Sequence, residues 1–131
     1  FRPWQNNYEA KIMTMDLQEQ AIEFRQAYDV DNTIENEQMQ FNLVEEEFRE
    51  FATSAQFDSN AETLKELADL VYVCFQYAEN MDWDLLEALR RVHRSNMSKL
   101  GKDGKPLRRS DGKVLKGPNY EPPNLLDLVI N

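Results

Sequence analysis

The sequence predicts an all-α protein: an antiparallel four-helix bundle core with an N-terminal arm and a C-terminal loop and hairpin segment. Three observations carry this. Apolar residues recur at helical spacing through four stretches between residues 16 and 100. Stretches open on residues suited to capping, namely Asp16, Ser59 and Asp82 or Asp84. After Gly101 the composition turns to glycine, proline and aspartate, which ends the helical part. At 131 residues, one domain spanning 1–131 is expected, with its helical core at about 16–100 and a basic tail at 101–131.

Residues 1–15 contain Trp4, Tyr8, Ile12, Met13 and Met15 without a sustained period, and read as an irregular arm. Asp16 caps a helix to about Tyr28, with Leu17, Ala21, Phe24 and Tyr28 on one side. Residues 29–32 read as a turn. A longer helix from about Thr33 to Phe57 aligns Phe41, Val44, Phe48, Phe51 and Ala55 as an apolar stripe. Glu47 and Glu50, three apart, project together from another side that also holds Met39 and Leu43. A helix apolar on two sides is packed on both, so these glutamates are expected to face a cleft.

Ser59 and Glu62 form a capping box that opens a helix to about Asn80. Its expected core stripe is Leu64, Leu67, Ala68, Val71, Phe75 and Ala78. Glu66 and Asp69 point away from that stripe, beside Val73 and Tyr77. Glu62, Lys65 and Gln76 share the arc, so periodicity alone also permits a solvated face. The fourth helix carries Leu85, Leu86, Leu89, Val92, Met97 and Leu100, with Lys99 near its end and Gly101 as its C-cap. Turn signals at Asp103-Gly104 and Asp111-Gly112 follow, and residues 107–109 and 113–115 can pair as a small hairpin. Residues 117–123 form an extended loop, and residues 125–130 are apolar enough to dock.

Net charge is −9, unevenly spread: residues 1–89 hold 20 acidic and 5 basic side chains, residues 90–131 hold 10 basic and 4 acidic. An acidic body with a basic end suits a metal carrying an anionic ligand; the plainer reading is attraction between tail and body. No apolar run is long enough to cross a bilayer and no signal-peptide pattern opens the chain. It begins at Phe1 rather than methionine, as a piece of a longer chain would. One cysteine, Cys74, excludes a disulfide framework and fits a cytoplasmic setting. An acidic body without basic, aromatic-interleaved sheets argues against nucleic-acid binding.

Glu47, Glu50, Glu66 and Asp69 place four carboxylates on two consecutive helices. Converging carboxylates repel unless a counter-charge joins them, and hard divalent cations suit oxygen ligands. Two solvated helix faces remain the alternative at this level. His93 follows Arg90 by three residues, so the E-x-x-H pairs of di-iron bundles are absent and a surface or packing role is expected. Cys74 reads as buried filler. No phosphate loop or nucleophile elbow is present. Arg90, Arg91, Arg94, Asn96 and Lys99, with Lys102 and Lys105 beyond, offer phosphate contacts or plain solvated charge.

The segments Glu46-Glu47-Phe48-Arg49-Glu50 and Glu66-Leu67-Ala68-Asp69-Leu70 resemble the MazG-like all-α nucleoside triphosphate pyrophosphohydrolases. That superfamily also includes dimeric dUTPases and phosphoribosyl-ATP pyrophosphohydrolase. Residues 92–100 together with 117–123 are similar to a single-domain MazG-like subgroup common in phages and bacteria. The resemblance implies that Glu47, Glu50, Glu66 and Asp69 bind Mg²⁺ or Mn²⁺, two or more ions per site. It assigns Glu46 to a second ion or to orienting water, and Asn96, Lys99 and, less strongly, Arg94 to the triphosphate. It also implies a homodimer or a dimer of dimers, with helices from more than one subunit at the site.

The expected activity is hydrolysis of a (deoxy)nucleoside triphosphate to the monophosphate and pyrophosphate, in nucleotide-pool control. GTP, dGTP and dCTP head the substrates, and phosphoribosyl-ATP or dUTP is the alternative. A non-catalytic acidic helical module binding a basic partner is the alternative of another class. Phe24, Gln38, Phe41 and Asn42 are the expected lining of a base pocket.

Overall fold

A computed structural model describes residues 3–129, with side chains from residue 6 onward. Five α-helices and a short 3₁₀ turn make up its regular structure: α1 (Pro3–Thr14), α2 (Leu17–Ala27), α3 (Ile34–Phe57), α4 (Asn60–Asn80), α5 (Leu85–Met97) and the 3₁₀ turn Leu126–Leu128. The all-α class therefore stands. The chain divides into two compact units, residues 1–84 and 85–131.

In the first unit α4 is the central element: α3 packs along it and α2 packs on it. The helix starts follow local chemistry. Asp16, Thr33 and Ser59 each have extended backbone, and each side chain accepts from the N–H three residues on. Residues 3–14 correct the expectation of an irregular arm. Their apolar residues lack a sharp period, but no glycine interrupts them and the proline stands at the first position, where its missing N–H costs nothing. Tyr8 donates to Glu23 at 2.7 Å and Lys11 pairs with the same carboxylate at 3.2 Å, tying α1 to α2. The Trp4 side chain and Ile130 lie outside what is described.

The apolar stripes are also corrected. Leu64 is 66% exposed and Phe48 56%, and Phe41, Ala55, Leu67, Ala68 and Val71 are exposed too. Only Phe75 and Ala78 of the α4 stripe are buried. The covered face of α3 instead includes Gln40, Glu47 and Ser54, spaced by seven, the repeat that keeps one line of side chains against a packed neighbour. Near the end of the α3–α4 pair the Thr63 hydroxyl donates to the Ser54 carbonyl at 3.0 Å and lies 3.2 Å from the Ser54 hydroxyl. Periodicity finds residues that share a face. It does not say which face this chain covers.

Arg25 latches the unit. It is 5% exposed, and burial pulls its guanidinium below the ordinary arginine value. It donates to Asn32 Oδ1 at 2.8 and 3.0 Å, to Asn80 Oδ1 at 2.7 Å and to the carbonyls of Asp31 and Gln76 at 3.2 and 3.3 Å. One side chain thus joins α2, the 31–32 turn and the end of α4.

In the second unit α5 ends at Met97, three residues short of Leu100. The Ser98 hydroxyl donates to the Ser95 carbonyl at 2.6 Å and accepts the Glu121 N–H at 3.0 Å, drawing residue 98 into a turn. Gly101 is not a left-handed C-cap: positive φ among glycines occurs only at Gly104 and Gly112. Those two serve the expected turns, and a single antiparallel bridge, Arg108 to Val114, forms the expected hairpin. The segment after Pro123 docks on α5 through Arg91, which holds Asp127 at 2.6 and 3.0 Å and the Asn124 carbonyl at 3.0 Å. Among the described residues no helix is long and apolar enough to cross a membrane.

Candidate metal centre

Glu47 on α3 meets Glu66 and Asp69 on α4, one carboxylate oxygen from each lying within 4.8 Å of the others. Helical spacing produces this: Glu66 and Asp69 are three apart and share an arc, and that arc faces α3. All three are partly buried. Glu47 Oε2 and Glu66 Oε2 are buried without a hydrogen-bond partner. A buried carboxylate oxygen without a donor is unfavourable by roughly 1–3 kcal/mol or more, which a bound cation relieves. Oxygen-only donors at this density fit a hard divalent ion.

The electrostatics agree. Burial raises the Glu47 carboxyl above its ordinary range, and the charges of Glu50, Asp69 and Glu66 raise it further. The counter-charge to two members of the cluster is Lys65, whose ammonium stands 2.7 Å from Asp69 and 3.5 Å from Glu66. Asp69 in turn, then Glu66, raises the Lys65 pKa. Sequence reasoning placed Lys65 on this arc without giving it a part. The signal was the (i, i+4) spacing from Asp69.

Glu50 is exposed and lies outside the group of three, though its charge reaches Glu47. Glu46 is exposed in a separate groove with Asn42, Glu45, Arg49 and Glu50. The expected base-pocket residues do not share one cleft. Phe24 lines a cleft of about 390 Å³ with Tyr8, Tyr28 and Tyr72; Gln38 and Phe41 line another with Ile34, Glu37 and Tyr77; Asn42 lines the acidic groove.

Asn96, Lys99 and Arg94 belong to the second unit. Asn96 and Arg94 are exposed and Lys99 is half-buried. Arg94 lines a cleft of about 340 Å³ with Ser95, Ser98, Pro122 and Asn124. Arg90 and Arg91 are engaged by Glu87, and Arg91 also by Asp127. His93 is exposed, and Cys74 is half-buried rather than buried, with its thiol pushed up by burial.

No curated protein matches the chain. Residues 14–96 match the model of the phosphoribosyl-ATP pyrophosphohydrolase family, a span that holds α2, α3, α4, both acidic segments and all of α5 but its last residue. That family lies within the MazG-like all-α superfamily and is typically dependent on a divalent metal. With its acidic group of three on paired helices, the chain belongs to the phosphoribosyl-ATP pyrophosphohydrolase family and is an enzyme that hydrolyses a pyrophosphate bond of a nucleotide.

Proposed function

We propose that the chain hydrolyses a (deoxy)nucleoside triphosphate to the monophosphate and pyrophosphate, with Mg²⁺ or Mn²⁺ held by Glu47, Glu50, Glu66 and Asp69. The observation that carries this is the convergence of Glu47, Glu66 and Asp69 around two buried oxygens that lack donors. When bound, two or more divalent ions supply charge neutralisation for the phosphates and acidify water. The residues of the chain do the rest. Glu47, Glu66 and Asp69 stand on packed helices, which fixes their positions before substrate arrives. Glu46 orients water or serves a further ion. Water oxygen bonds the α-phosphorus as the bond to the β-bridging oxygen breaks, and pyrophosphate leaves. Asn96 and Lys99, with Arg94 in support, donate to phosphoryl oxygens and stabilise the charge that develops there.

The uncovered apolar face of α3 and α4 supports a homodimer or a dimer of dimers. We take the site of action to be the cytoplasm and the role to be control of nucleotide pools. GTP, dGTP and dCTP are the first triphosphates to test, with dUTP next. The family match favours phosphoribosyl-ATP as a second reading of the same chemistry.

The test is pyrophosphate release over all ribo- and deoxynucleoside triphosphates and phosphoribosyl-ATP, with Mg²⁺ or Mn²⁺. At least one substrate is expected to turn over, and Asp69→Asn and Glu50→Gln should each lower kcat/KM about a hundredfold. Full activity in both variants would sink the ligand assignment. No cleavage of any triphosphate would sink the substrate class.

A further inference from the structure

The chemistry above leaves residues 101–123 without a part. They run through two turns and the hairpin, then return to the end of α5, where the Gly117 N–H donates to the Lys99 carbonyl at 2.8 Å. The approach is very close. A Cβ at Gly117 would stand 2.3 Å from the Leu100 carbonyl oxygen and 2.7 Å from that of Lys99. Glycine is needed here for space, so that one backbone can lie against another. The contact brings the backbone of Lys116 beside that of Lys99.

Most carboxylates of this unit are taken. Glu87 pairs with Arg90 and Arg91, Asp127 with Arg91, and Asp111 with Arg109, while Asp103 accepts the Lys105 N–H. Among the described residues no carboxylate pairs with Lys99 or Lys116. The Lys116 ammonium stands 4.7 Å over the Tyr120 ring, an arrangement that positions a cation without neutralising it. Lys99 and Lys116 thus carry uncompensated charge on segments whose backbones lie side by side. A phosphate chain, with several charged oxygens, accepts from both at once.

We propose that Lys116 is a second phosphate-binding cation of the enzyme, set beside Lys99 by the Gly117 contact, and that the two engage the pyrophosphate portion of the nucleotide. This rests on the reading that Lys99 meets the triphosphate.

The experiment uses the full chain and inorganic pyrophosphate as probe, by calorimetry with Mg²⁺, alongside steady-state hydrolysis. Lys116→Met is expected to weaken pyrophosphate binding and raise KM about tenfold, with a much smaller change in kcat. Lys116→Arg should recover most of the loss, and Lys113→Met, on the exposed hairpin, should leave both constants unchanged. Gly117→Ala should weaken binding, and adding Lys116→Met to it should cost little more. If Lys99→Met weakens binding and Lys116→Met does not, the proposal is overturned and the reading of Lys99 stands. If neither weakens it, both are overturned.

Discussion

Residues 1–84 hold 19 acidic and 5 basic side chains, while residues 85–131 hold 10 basic and 5 acidic. The two units treat these charges in opposite ways. At the centre of the first, Glu47, Glu66 and Asp69 crowd together with Lys65 as the cation in contact, and two of their oxygens are buried unpaired. In the second, Glu87, Asp111 and Asp127 each hold an arginine. Charge answered within the chain is part of the fold. Charge that the chain leaves unanswered destabilises the free protein.

The exception inside the acidic unit gives the largest effect. Arg25 is buried and fully bonded, so Arg25→Met should lower stability by about 3 kcal/mol, since it strands the buried acceptors of Gln76 and Asn80 on α4 and cuts the tie to the 31–32 turn. Urea unfolding measures this, and a loss near zero would remove Arg25 from the fold. Next, Glu47→Gln should raise metal-free stability on the order of 1 kcal/mol while abolishing calorimetric Mg²⁺ binding. A clear loss of metal-free stability would instead make the cluster a structural one.

The smallest effect is a pair of pH slopes of opposite sign. The carboxyl of Glu47 is raised above its ordinary value near 4.5, so its contribution is complete below that value and is lost as pH rises through the raised one. Asp127 and Glu87 are lowered, chiefly by hydrogen bonds from Arg91, from ordinary values of 3.8 and 4.5. Their contribution is present above those values and is lost as pH falls through the lowered ones. Metal-free unfolding of wild type against Glu47→Gln isolates the first slope. Hydrogen exchange at residues 124–129 reports the second, and parallel slopes would erase the contrast.

The starts of α2, α3 and α4 were legible because they rest on local chemistry: a side chain at Asp16, Thr33 or Ser59 bonds a backbone three residues away. The three central carboxylates could be grouped for a similar reason, since spacing along each helix sets the arc. Which arc is covered depends on partners elsewhere, so Leu64 and Phe48 misled while Gln40 and Ser54 passed unnoticed. Arg25 gave no local signal because its partner Asn80 lies 55 residues along the chain. The α5 end was misplaced for a related reason: Glu121, 23 residues on, bonds Ser98 and helps decide where the helix stops.

The Arg25 latch also bears on the order in which the first unit assembles. Thr63 closes on Ser54 across nine residues, a short loop that forms early, whereas Arg25 reaches Gln76 and Asn80 across 51 and 55. An interaction made after the folding barrier governs how fast the native state is left rather than how fast it is reached. On that order Arg25→Met is expected to speed unfolding more than it slows folding, which stopped-flow kinetics in urea measures.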